Sequence, residues 1–92
     1  MRTEPQRVSV ADRVVFRELG EESVLLHLGT GRYFGLDPVA TRMWSVLAEA
    51  GTVEGAMAVL AEEYEVGRDR LRRDLAELVE ELAQRRLVRL EP

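Results

Sequence analysis

Two kinds of hydrophobic spacing divide the chain. From Val14 to Leu36, apolar residues form short runs rich in β-branched and aromatic side chains, interrupted at Gly20 and at Gly29-Thr30-Gly31. From Pro38 onward they recur every three or four residues. The first spacing predicts strands over residues 14–19, 23–28 and 32–36, and the second predicts helices. Val8-Ser9-Val10 reads as a further short strand or an ordered arm, and residues 1–7, polar with one proline, as a flexible start.

The turn between the last two of these strands carries most of the local information. Gly29-Thr30-Gly31 predicts a three-residue hairpin with Gly31 in the left-handed conformation. Such a loop pairs Leu28 with Arg32 and Leu26 with Phe34. Alternation then puts Val24, Leu26, Leu28, Phe34 and Leu36 on the core face, and Leu25, His27 and Tyr33 on the opposite one. That second face is semi-apolar and open to a partner or to another copy of the chain.

Asp37-Pro38 is a helix start, with Asp as the cap and Pro in the first turn. Ala40, Met43, Trp44 and Leu47 follow at helical spacing, and Ala50-Gly51 ends that helix. Thr52 caps a second helix with the stripe Val53, Ala56, Met57, Leu60 and Tyr64. After Val66-Gly67 a third helix covers residues 68–86, with Leu71, Leu75, Leu78, Val79 and Leu82 on one face. Residues 87–90 close the chain as an extended piece. The predicted fold class is α+β: one domain, residues 1–92, with a three-stranded antiparallel N-terminal sheet packed on a three-helix winged helix-turn-helix.

Composition narrows the function more than it narrows the fold. Ninety-two residues with 46% hydrophobic and 33% charged side chains make an ordinary globular domain with little room for a deep cavity. No apolar run approaches the length a membrane helix needs, and no apolar segment follows the first residues as in a secretory signal. A cytoplasmic protein is the expectation. With no cysteine there is neither a disulfide framework nor a thiolate metal site. The single histidine, His27, has no partners at ligand or catalytic spacing, so no metal, cofactor or catalytic residue is expected. Gly29-x-Gly31 lies between strands and is a turn rather than a phosphate loop. The acidic pairs Glu62-Glu63 and Glu80-Glu81 read as solvated helix faces.

The net charge of −4 argues against general nucleic-acid binding. Arg68, Arg70, Arg72 and Arg73 cluster where the recognition helix of a winged helix would enter DNA, which keeps a transcription regulator as the alternative function. However, residues 68–86 hold six Arg against five acids, so the helix offers little net charge to phosphates. All 13 basic residues are Arg.

The run Val24-Leu-Leu-His-Leu-Gly-Thr-Gly-Arg-Tyr-Phe-Gly-Leu-Asp37, with Ala40-Thr-Arg-Met-Trp44 after it, resembles the PqqD-like family. Thr52-Val-Glu54, Leu60-Ala-Glu-Glu-Tyr64 and Asp74-Leu-x-Glu-Leu-Val-x-Glu-Leu82 extend the likeness over residues 14–88. Within that family the Thr-Gly-x-Tyr-Phe-Gly-Leu pattern looks most like the stand-alone recognition proteins of split lasso-peptide systems, and it departs from quinone-cofactor members around the hairpin. The resemblance implies a non-catalytic recognition element that binds the leader segment of a ribosomally made precursor peptide. The leader would lie as an extra strand beside the third strand, in a cleft walled by the third helix. Carried onto this chain, the edge is Arg32, Tyr33, Phe34 and Gly35, and the wall is Arg70, Leu71, Asp74, Leu75 and Leu78. The implied partners are the precursor peptide, a separate leader-cleaving cysteine protease and an ATP-dependent cyclase. No nucleic acid, membrane or cofactor is implied.

Overall fold

Strand-forming and helix-forming segments separate along the chain in the computed structural model, which describes residues 7–91. The order is β1 (Arg7–Val10), β2 (Val14–Leu19), β3 (Glu22–His27), β4 (Tyr33–Leu36), α1 (Pro38–Ala50), α2 (Val53–Glu63), α3 (Arg68–Gln84) and β5 (Val88–Glu91). The strands form two antiparallel sheets, β2-β3-β4 and β1-β5. The expected flexible start lies outside the described residues except for Arg7, which is ordered: it opens β1, pairs with Glu91 and bridges to Thr52. The extended piece after α3 finds its partner in β1, near the other end of the chain.

Local chemistry sets the helix boundaries. Asp37 Oδ1 accepts from the Ala40 N–H at 2.8 Å, and Pro38 occupies the first turn of α1. Gly51 ends that helix at φ 78°, a left-handed conformation that costs glycine nothing. Thr52 Oγ1 accepts from the Gly55 N–H at 2.9 Å and starts α2. Apolar stripes then set the packing: Met43, Trp44 and Leu47 of α1, Ala56, Met57 and Leu60 of α2, and Leu71, Leu75, Val79 and Leu82 of α3 are all buried in one core. The sheet joins this core through Leu25 and Leu36, with Phe16 stacked on Trp44 at 6.1 Å between ring centroids. Ser23 Oγ and Thr41 Oγ1, both buried, satisfy each other at 2.8 Å where β3 meets α1.

The register of the β3–β4 hairpin differs from the predicted one. Leu25 pairs with Phe34 and Leu26 with Tyr33. The loop has four residues, 28–31, with the His27 N–H donating to Arg32 O at 2.9 Å and the Gly31 N–H to His27 O at 2.8 Å. His27 Nδ1 holds this longer loop by accepting the N–H groups of Gly29 and Thr30 at 3.0 and 3.2 Å. Gly31 is left-handed as expected, at φ 76°. One extra loop residue turns every side chain of β3 to the other face. The core face is therefore Ser23, Leu25 and His27 with Phe34 and Leu36, while Val24, Leu26 and the exposed Leu28 share the outer side with Tyr33. The expected placement of Phe34, Leu36 and Tyr33 holds, and that of Val24, Leu25, Leu26, His27 and Leu28 is reversed.

The end of α3 carries a backbone cost. The Leu87 N–H reaches Leu82 O at 2.9 Å and the Arg86 N–H reaches Ala83 O at 3.0 Å, a Schellman closure that puts Arg86 at φ 61°. A β-carbon is disfavoured there. Arg86→Gly is expected to stabilise the domain by about 0.5–1 kcal/mol once the extra freedom of the unfolded chain is counted. A thermal melt checks this, as a rise of about 2–8 °C for a domain of this size.

Candidate functional site

β4 is an edge strand, so one row of its backbone groups has no partner in the sheet. Parity identifies that row. Leu28 N–H donates to Arg13 O, so the even residues of β3 bond to β2 and the odd ones to β4. Phe34 and Leu36 thus face β3 through their hydrogen-bonding groups, and Tyr33 and Gly35 turn theirs outward. Gly35 adds access, because a β-carbon built there meets no atom within 4 Å. The Tyr33 side chain is 75% exposed on the outer face.

The inner side of this edge lies beside α3. That helix packs on α2 and β5 and reaches β4 through its C-terminal end, where the Arg85 guanidinium lies 4.7 Å from the centre of the Phe34 ring. By helical spacing, Arg70, Asp74, Leu78 and Glu81 share a flank with Arg85. Arg70 and Asp74 form an ion pair at 3.7 Å and Glu81 and Arg85 another at 3.3 Å. A small cavity at the Tyr33 end is lined by His27, Arg32, Tyr33, Phe34, Arg85 and Leu87. At the opposite end of β4 a more open depression is lined by residues that include Glu22, Gly35, Leu36 and Asp37.

Arg32, Tyr33, Phe34 and Gly35 therefore lie together on the free edge, with Phe34 half-buried under Arg85. Arg70 and Asp74 are exposed on the α3 flank, and Leu78 is half-buried against the core. Leu71 and Leu75 are placed differently: at 2% and 0% exposure they are core residues and present no surface to a ligand. Sequence reasoning overlooked His27, Glu81, Arg85 and Leu87. One signal for Glu81 and Arg85 was available, since they stand at an i,i+4 spacing that continues the line from Leu78.

Ionisation is perturbed away from this edge. Glu63 is held below the ordinary carboxylate range first by a hydrogen bond from Arg42, and Glu54 likewise by Arg72. These pairs tie α1 to α2 and α2 to α3. Among the described residues, no group of three or more His, Cys, Asp and Glu side chains is arranged to hold a metal ion.

Comparison with known proteins bears on the whole domain. The family model described as "Coenzyme PQQ synthesis protein D (PqqD)" matches residues 22–88. A solved structure of TbiB1 in complex with the TbiA(beta) leader peptide is similar at a TM-score of 0.81 and 41% identity, over 87% of this chain and 93% of that one. A lasso peptide synthetase B1, solved complexed with the leader peptide, shares the fold at a TM-score of 0.77 and 24% identity, over 94% of this chain and 99% of the other. No curated protein sequence matches. The family match spans both β4 and α3, the elements that form the candidate edge, and with the TbiB1 likeness extending over most of both chains, this chain belongs to the PqqD family.

Proposed function

We propose that this protein is a non-catalytic adaptor of lasso-peptide maturation, which binds the leader segment of a ribosomally made precursor as an added strand beside β4. The observation that carries this reading is the open β4 edge next to α3, in a chain 41% identical to TbiB1, whose structure holds a leader peptide. Outward N–H and C=O groups at Tyr33 and Gly35 hold the backbone of any extended peptide, and side chains beside them select its sequence. The selecting wall is the α3 flank of Arg70, Asp74 and Leu78, extended to Glu81 and Arg85. Leu71 and Leu75 support it from the core. In this reading the three helices form a winged helix-turn-helix that serves as a peptide platform.

The adaptor works in the cytoplasm and presents the leader to a separate cysteine protease, which removes it, and to an ATP-dependent cyclase. The chain supplies no nucleophile–base pair of its own for either reaction, since it has no Cys and one His, whose Nδ1 is occupied by the hairpin loop. The transcription-regulator alternative has no support. Two of the arginines in the basic cluster are engaged, Arg70 with Asp74 and Arg72 with Glu54, which leaves still less charge for phosphates.

The test is a fluorescence titration with the leader of the precursor encoded beside this gene. One-to-one binding with a Kd of roughly 10⁻⁸ to 10⁻⁶ M is expected, because a preformed edge orders only the peptide. The leader should remain uncut during the titration. Absence of binding removes the proposal.

A further inference from the structure

The free edge of β4 is electrically polarised. At its Leu36 end the flanking groups are acidic, Glu22 and Asp37. At its Tyr33 end they are basic, Arg32 and Arg85. A peptide strand lying along the edge meets opposite fields at its two ends.

The basic end has the form of a small binding site. Its cavity is small and partly open to solvent. Arg85 is held over the Phe34 ring, so its guanidinium is positioned before any ligand arrives. Its one side-chain hydrogen bond among the described residues is a single contact to Glu81 Oε1 at 3.3 Å. An exposed pair of this kind is weak and readily exchanged. Arg32 forms no ion pair among the described residues, and strand parity puts it on the same side of the sheet as Phe34, toward Arg85. His27 also lines the cavity. Its Nδ1 accepts two loop N–H groups, so the neutral ring carries its proton on Nε2, as a donor.

We propose that this cavity is a carboxylate-reading subsite: the docked peptide places an Asp or Glu side chain between Arg32 and Arg85 at the Tyr33 end of β4. The inference rests on the reading that a peptide docks along β4, and it adds which side-chain chemistry that peptide must offer at one position. Two arginines that converge on a small cavity suit a carboxylate, which can take two donors at once. The acidic far end rejects the same group, so the charge also fixes the peptide's placement along the edge.

A displayed library of random fourteen-residue peptides, sorted on the full-length protein, tests both levels. Peptides enriched on the wild type are re-sorted on Gly35→Pro, on Arg32→Glu and on Arg85→Glu, each first checked by a thermal melt. Arg32→Glu provides the result if Arg85→Glu does not fold, because Arg32 is exposed and unpaired among the described residues. The expected outcome is enrichment of Asp or Glu at one fixed position in peptides that Gly35→Pro fails to capture. Replacing that acid by its amide should weaken binding roughly tenfold or more. Arg32→Glu should move the preference at that position to Lys or Arg. Edge-dependent peptides with no acidic preference, or a preference unchanged by Arg32→Glu, overturn the subsite and leave β4 docking intact. Failure to enrich any peptide, or enrichment of peptides that Gly35→Pro still captures, overturns β4 docking and the subsite with it.

Discussion

Proline at Gly35 or at Tyr33 is expected to leave the domain folded and to weaken leader binding by roughly tenfold or more, whereas proline at Phe34 is expected to unfold it. The difference follows from the direction of the backbone groups. Tyr33 and Gly35 turn their N–H groups away from β3, so proline there deletes a donor that only an added strand would use. Each hydrogen bond lost to the peptide is worth about 0.5–1.5 kcal/mol, and the ring also crowds the docking side. Gly35 has open space for the new atoms. Phe34 instead pairs with Leu25 and supports Arg85 with its ring. Its replacement removes a ladder bond and a packed side chain, a cost of about 3 kcal/mol or more against a total stability of about 5–15 kcal/mol. Glu18→Pro is the control, because Glu18 turns its N–H outward on β2, the other edge of the same sheet. It should bind leader like the wild type. Circular dichroism melts and leader titrations on the four variants decide the matter. Normal binding by both Tyr33→Pro and Gly35→Pro would mean that the leader does not dock on β4.

The second large effect separates two neighbouring leucines. Leu25→Ala is expected to cost about 2–5 kcal/mol, and Leu26→Ala about 1 kcal/mol or less. Leu25 is fully buried, at 0% exposure, between Phe16 and Phe34 on the two flanking strands. Leu26 points to the outer face beside Tyr33 and is half-buried. For a domain of this length the first change lowers the melting temperature by about 8 °C or more, and the second by a few degrees. Chemical denaturation of the two variants measures the contrast. Equal losses, or a larger loss at Leu26, would mean that the hairpin has the three-residue loop after all.

What the sequence determined by itself is the part governed by short-range chemistry. Asp37-Pro38, Gly51 and Thr52 act within one helical turn, so the helix starts and the α1 stop are legible without tertiary contacts. The apolar stripe of α3 is clear, because charged residues fill most of its remaining positions, whereas α1 and α2 carry further apolar residues such as Val46, which is buried, and Val39 and Val59, which are exposed. The outward parity of Tyr33 and Gly35 depends on which residue closes the hairpin, and the structure settles it: the His27 N–H donates to Arg32 O across the four-residue loop, so the expected parity is kept. The family resemblance was legible too, as ordered motifs along most of the chain. Tertiary structure decided three things. The facing of β3 was the first: Ser23-Val-Leu-Leu-His-Leu28 carries apolar residues at both parities, so alternation cannot choose, and the choice falls to His27 capping a four-residue loop and to the fit of Leu25 between two phenylalanines. The partner of the last strand was the second, since β1 and β5 lie at opposite ends of the chain. The wall of the docking edge was the third. A helical wheel ranks Leu71 and Leu75 beside Leu78, but the packing of α3 on α2 and β5 buries the first two in the core, and Arg85 at its end lies over Phe34. Periodicity says which residues share a face; only the packing of one element on another sets how far around the helix that face is buried.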